Sequence, residues 1–281
     1  MTTLITQMGR DEFFDVLQLR HQPILGREGC LRLRDSTVAL AGLGGIGALT
    51  LELLVRAGVG RFRLLDYDIY EPSNLNRQIF ATIHTLGKPK VEVAARRIRE
   101  INPFAVVEQT FFERAGSRNM RELVAGADIG VVCTDSPSSY VFWNQAAGRE
   151  RLRLACGFSA KMECGVWVVA HDRPKQGLHK VKSRLGRKMR SLLSLAPWPW
   201  DLDEEAALAL DVPASPDEGF TPAVGFVTNS SACMLAGIVV SYLTGAETRP
   251  LSLRLSHRKP RMLSPRLHSL KQLFRRNREG S

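Results

Sequence analysis

The hexapeptide Gly42-Leu43-Gly44-Gly45-Ile46-Gly47 constrains this chain more than any other feature, because of what flanks it. The run Thr37-Val38-Ala39-Leu40-Ala41 before it is short, apolar and strand-like, and residues 48–57 after it have helical spacing and end at Gly58. Arg61-Phe62-Arg63-Leu64-Leu65-Asp66 then reads as a second strand. The three pieces make a βαβ unit, which demands a parallel strand pair and a right-handed crossover. In such a unit Gly42 permits the tight turn. Gly44 and Gly45 let backbone N–H groups approach phosphates, and Gly47 lets helix and strand pack closely. Asp66, 24 residues beyond Gly42, ends the second strand, where a carboxylate can accept hydrogen bonds from a ribose.

Downstream, residues 88–101 are spaced as a helix, 105–111 alternate as a strand, 120–125 form a short helix and 128–133 a buried strand. Continued alternation predicts a Rossmann-like, doubly wound α/β fold with a mostly parallel sheet through about residue 170. Around it we expect an N-terminal helical arm (1–35, interrupted by Pro23), a nucleotide-binding core (36–172) and a basic and acidic excursion (173–220). A C-terminal helix and basic tail (221–281) then completes one domain and extends the sheet. The chain has 281 residues, 44% of them hydrophobic, enough for a sizeable core. Its apolar run at 232–243 is too short to span a bilayer and reads as a buried helix, with no membrane partner expected. Asp11, Glu12 and Asp15 stand where a secretory signal needs basic residues, and the five cysteines contain no Cys-x-x-Cys pair, so a reduced, cytoplasmic protein is expected. Cys156, Cys164 and Cys233 lie in apolar runs and read as core residues.

The glycine loop leaves the cofactor class open, since dinucleotide dehydrogenases share it. The segment after it is more specific. Asp66-Tyr67-Asp68, Ser73-Asn74-Leu75-Asn76-Arg77-Gln78 and Gly87-Lys88-Pro89-Lys90 put a polar, cationic cluster beside the phosphates. A neutral nicotinamide gives no use for it, whereas Arg77 and Lys90 could hold the outer phosphates of a triphosphate and stabilise departing pyrophosphate. A solvated loop and an ordinary helix start are the plainer alternatives for these two. Asp135 follows the strand at 128–133, emerges at the same carboxyl edge and suits a magnesium ion carried by ATP. Its plainer alternative is a turn or helix cap in Asp-Ser-Pro-Ser.

Together, Gly42-x-Gly-Gly-x-Gly47, Asp66-x-Asp68, Ser73-Asn-Leu-x-Arg-Gln78, Lys90, Ile101-Asn-Pro103, Asp135 and Thr221-Pro-x-Val-Gly225 resemble the ThiF/MoeB/HesA family, relatives of the ubiquitin-activating enzymes. The resemblance implies ATP- and magnesium-dependent adenylation of a carboxylate. Asp66 and Asp68 would lie at the nucleotide, Asn74, Arg77, Gln78 and Lys90 around the phosphates, and Asp135 on magnesium. It also implies a homodimer whose N-terminal arms cross into each other's sites. Alignment on Gln22 puts His21 at the position of the crossing arginine, with Arg20 next to it as the candidate.

Three departures bear on substrate. Without the paired Cys-x-x-Cys of many carrier-protein enzymes no zinc is expected, no cysteine in 173–220 offers a thioester nucleophile, and Tyr140 replaces an arginine common in relatives. The zinc-less branches include enzymes that modify ribosomally made peptides, as in microcin- and pantocin-type antibiotic pathways, and the tRNA threonylcarbamoyladenosine dehydratase. The net charge of +11 and the basic runs 173–190 and 249–278 favour a polyanionic partner, either tRNA or an acidic peptide. Trp198 and Trp200 beside an acidic loop could close over an extended peptide, which is the reading preferred here. tRNA and a sulfur-carrier protein remain alternatives. A dinucleotide-dependent oxidoreductase is disfavoured because Asn74-Leu-Asn-Arg77 has no role there.

Overall fold

A computed structural model describes residues 7–160, 162–171, 224–245 and 252–256. The basic run 173–190, the Pro-Trp-Pro-Trp stretch and most of the basic tail lie outside the described residues. Seven strands form one sheet: β1 (Thr37–Ala41), β2 (Arg61–Leu65), β3 (Val106–Phe111), β4 (Ile129–Val132), β5 (Arg153–Ala160), β6 (Glu163–Ala170) and β7 (Ser252–Ser256), in the order β3-β2-β1-β4-β5-β6-β7. The first five are parallel. β1 is buried on both faces, as its unbroken apolar sequence requires of a central parallel strand.

Helices α3 (Gly45–Ala57), α4 (Lys90–Ile101) and α7 (Gly225–Leu243) cover one face, and α5 (Ser117–Val124) and α6 (Pro137–Glu150) the other. Successive β1 residues divide between the two cores: Val38 and Leu40 join the first, Ala39 and Ala41 the second. α7 is apolar and long enough to cross a membrane by length and composition, yet Val227, Ala232, Leu235 and Val239 are fully buried in the core. It runs parallel to α3, with Thr228 against Gly45 and Thr50 Oγ1 donating to Ala232 O.

The arm comprises α1 (Arg10–Gln18) and α2 (Gln22–Asp35). Pro23 does not interrupt it. It sits in the first turn of α2, where its missing N–H costs nothing; the arm breaks before it, in the turn between α1 and α2, and again after it at Gly26, with φ of 71°. Three further expectations change. The parallel alternation stops at β5, because β6 and β7 pair antiparallel. α6 was not predicted, and α3 and α5 begin three residues before their predicted starts. Cys156 and Cys164 are buried as expected, but Cys233 is exposed on the outward side of α7. The polar residues of that helix do not mark its outward face, since Thr228 and Ser231 are themselves buried.

Candidate nucleotide-binding site

The glycine loop lies where the strand order reverses, between β1 and β4, at the carboxyl edge of the sheet. Gly42 has φ of 89°, and a Cβ there would overlap the backbone of Cys133 at the end of β4. A Cβ on Gly47 would overlap the carbonyl of Gly42, so the first turn of α3 rests directly on the loop it follows. Gly44 is the N-cap of α3. Gly45 faces Thr228 and the Arg77 carbonyl, which brings α7 and the segment 76–78 onto the same loop. The start of α3, with its unpaired N–H groups and positive dipole end, therefore opens into this crevice.

Asp66 is 6% exposed. Its Oδ2 accepts from Leu43 N at 2.5 Å and its Oδ1 from Asp68 N at 2.8 Å. Burial pushes its carboxyl above the usual range, against the opposing pull of Lys90 and these two N–H donors. Lys90 is 4% exposed, and its Nζ lies 2.9 Å from Asp68 Oδ2 and 5.9 Å from the Tyr70 ring centroid. It is the first residue of α4, where a positive charge opposes the helix dipole. A buried cation in that position breaks a local rule, which is characteristic of sites kept for a ligand.

Asn74 is buried, and its Oδ1 caps the N–H of Glu71 at 3.1 Å, forming the single 3-10 turn of this segment. The Arg77 guanidinium folds back onto Ser73 O (2.8 Å) and Asn76 Oδ1 (3.0 Å). Gln78 is 5% exposed, and its Oε1 is buried without a hydrogen-bond partner among the described residues. Asp135 is exposed just beyond β4, and the neighbouring Ser136, not Asp135, caps α6. Burial raises the Tyr140 phenol well above its ordinary value, with Cys156, Cys133 and Asp135 adding to the shift.

Most of the predicted residues thus share one edge of the sheet. Arg20 does not. It is exposed in the turn after α1, where Gln18 Nε2 donates to Ala57 O at 2.8 Å, at the far end of α3 from the glycine loop. α3 has 13 residues, so that separation is about 18 Å along its axis. The sequence assigns no role to Tyr67, whose ring centroid lies 4.0 Å from the Arg114 guanidinium.

Among the described residues no three or more His, Cys, Asp or Glu side chains cluster into a cage for a metal. A magnesium ion that arrives on nucleotide phosphates needs only one or two carboxylates, and exposed Asp135 fits that requirement.

The chain is 45% identical over 84 residues to the tRNA threonylcarbamoyladenosine dehydratase of Bacillus subtilis (strain 168), covering 30% of this chain and 33% of that protein. It is 34% identical over 158 residues to the molybdopterin-synthase adenylyltransferase of Salmonella typhimurium, covering 56% and 63%. It spans between a third and just under two thirds of these curated relatives. In fold it is similar to E. coli MccB crystallised with ATP, with TM-score 0.66, 20% identity and coverage of 87% and 68%. With selenomethionine MccA the same enzyme gives TM-score 0.66, 20% identity and coverage of 88% and 70%. A model of the ThiF family matches residues 17–277, and the chain belongs to that family.

Proposed function

We propose that this protein activates a carboxylate of a ribosomally made peptide, in natural-product biosynthesis, by attaching AMP from ATP. The observation that carries the nucleotide half of this reading is Lys90. It is buried at a helix start, tied to Asp68, and faces the edge where α3 presents its N-terminal dipole. An ammonium so placed is matched by phosphate oxygens. In the proposed complex, Gly44 and Gly45 receive phosphates through backbone N–H groups and Asp66 receives the ribose. Arg77, freed from Ser73 O, and Lys90 hold the outer phosphates, with Asn74 and Gln78 shaping the loop between them. Asp135 would hold magnesium, whose charge helps neutralise the phosphates. A substrate carboxylate oxygen attacks the α-phosphorus, the bond to the bridging oxygen of the β-phosphate breaks, and pyrophosphate leaves with that electron pair. The cations of this chain stabilise the charge as it moves outward. In a homodimer, Arg20, remote from its own glycine loop, would serve the partner's site.

The peptide half is supported by extent of fold. MccB, crystallised with the peptide MccA, superposes on 88% of this chain, whereas identity to the tRNA dehydratase covers 30%. That 45% identity and the net charge of +11 favour a second reading, tRNA. Hydroxylamine trapping distinguishes them. With ATP, magnesium and either the small-peptide fraction or total tRNA of the source cell, an acyl-hydroxamate should form on peptide, and trapping on tRNA alone would overturn the substrate assignment.

A further inference from the structure

The main chain of Arg77 is fixed on three sides. Its N–H donates to Asn74 O at 3.1 Å, and a Cβ on Gly45 would lie 3.4 Å from its carbonyl, so the residue abuts the glycine loop. The preceding carbonyl, Asn76 O, lies against the first turn of α7, where a Cβ on Gly225 would come within 2.7 Å of it. With the backbone clamped between α3 and α7, only the direction of the guanidinium is left to choose, and two acceptors choose it. Nη1 donates to Ser73 O at 2.8 Å and to Asn76 Oδ1 at 3.0 Å, which uses both of its hydrogens. Among the described residues the edge formed by Nε and Nη2 has no hydrogen-bond partner, and no carboxylate pairs with the charge.

The two acceptors differ in kind. Ser73 O is backbone of the 3-10 turn and cannot follow the guanidinium when it swings to a ligand, whereas Asn76 is exposed and its side chain can turn with it. Asn76 is also a neutral acceptor. A carboxylate at this position would orient the guanidinium and cancel much of its charge, while a carboxamide orients it and leaves the charge whole. The result is an uncompensated cation with a free Nε–Nη2 fork, the shape that grips two oxygens of one phosphate. Holding such a fork in one direction before the ligand arrives lowers the side-chain entropy lost on binding.

We propose that Asn76 is a positioning residue for adenylation: its side-chain oxygen steers the Arg77 guanidinium onto the outer phosphates of ATP without neutralising it. The inference rests on the nucleotide reading of Arg77 and the glycine loop. Titration calorimetry with magnesium and either ATP or AMP, which lacks the outer phosphates, tests it. Asn76→Ala should weaken ATP about fivefold, the worth of one hydrogen bond, while AMP affinity stays within about twofold. In an Arg77→Ala background the same change should cost less than about twofold, because Asn76 acts through that side chain. Asn76→Asp keeps the acceptor and adds a charge, and should weaken ATP by about tenfold or more. Unchanged ATP affinity in Asn76→Ala, equal losses for ATP and AMP, an undiminished loss in the Arg77→Ala background, or wild-type affinity in Asn76→Asp would each overturn the positioning role while leaving the nucleotide site standing. A wild-type protein that binds neither nucleotide, or an Arg77→Ala protein that binds ATP normally, would instead remove the reading on which this inference rests.

Discussion

The backbone N–H of Leu43 donates to Asp66 Oδ2 at 2.5 Å, so the residue that follows the second strand holds the glycine loop after the first. Asp66 is thus part of the loop's architecture as well as a candidate ribose acceptor. Its raised carboxyl makes this testable through pH. An acid whose pKa is higher folded than unfolded binds more protons in the native state. Its stabilising contribution is present in full below the unfolded pKa and is lost as pH rises through the folded one. Thermal unfolding followed from about pH 4 to pH 7 should show wild type losing ground to Asp66→Asn as pH rises, whatever the offset between them. Parallel curves would mean that Asp66 is not perturbed.

Lys90 is buried while Asp68 is half-exposed. Removing the ammonium in Lys90→Met should cost about 2 kcal/mol, more than a surface pair and less than a fully buried one. ATP–pyrophosphate exchange should fall at least about a hundredfold, because a phosphate-binding cation is lost. Denaturant titration and exchange on the same preparation check both values.

Arg77 and Asp135 carry little of the fold: among the described residues the Arg77 side chain bonds within its own loop, to Ser73 O and Asn76 Oδ1, and Asp135 is exposed. Arg77→Ala and Asp135→Ala should melt within a few degrees of wild type yet lose exchange activity by about a hundredfold or more. Full exchange in either variant would remove that residue from the site.

Glycines at two positions should respond in opposite directions. In Gly47→Ala the new methyl meets the Gly42 carbonyl and must displace the loop, so stability and ATP binding should both fall. Gly237 lies mid-helix in α7 with open space at its Cβ, and Gly237→Ala should stabilise by about 0.5–1 kcal/mol through helix propensity. Melting temperatures of the pair give the comparison directly.

If Arg20 serves a partner's site, Arg20→Ala and Asp135→Ala proteins should complement each other when mixed. Random exchange makes half the dimers mixed, each with one intact site, so recovery should approach about a quarter of wild-type activity. Mixtures no more active than their components would exclude the crossed arm.

The sequence by itself determined the βαβ unit, the carboxyl-edge crevice and most of the residues around it. Gly42 and Gly47 are dictated by a close approach no other residue permits, and β1 by burial on both faces, so both are written locally. The segment from Asn74 to Lys90 was legible for a related reason: its cations and amides are conspicuous in a short stretch. Only the tertiary structure decided the rest. Pairing direction is not encoded in a strand's own residues, so the antiparallel turn at β6 could not be read from an apolar run that suits either direction. Cys233 faces outward because packing on the sheet chose which side of a helix to bury whose polar residues do not gather on one face: Thr228 and Ser231 are buried with the apolar side chains. The glycine loop keeps its place in this account, but its hold on Asp66 and the seating of Arg114 on Tyr67 depend on residues 23 and 47 positions apart, and distances of that kind are set only when the sheet closes.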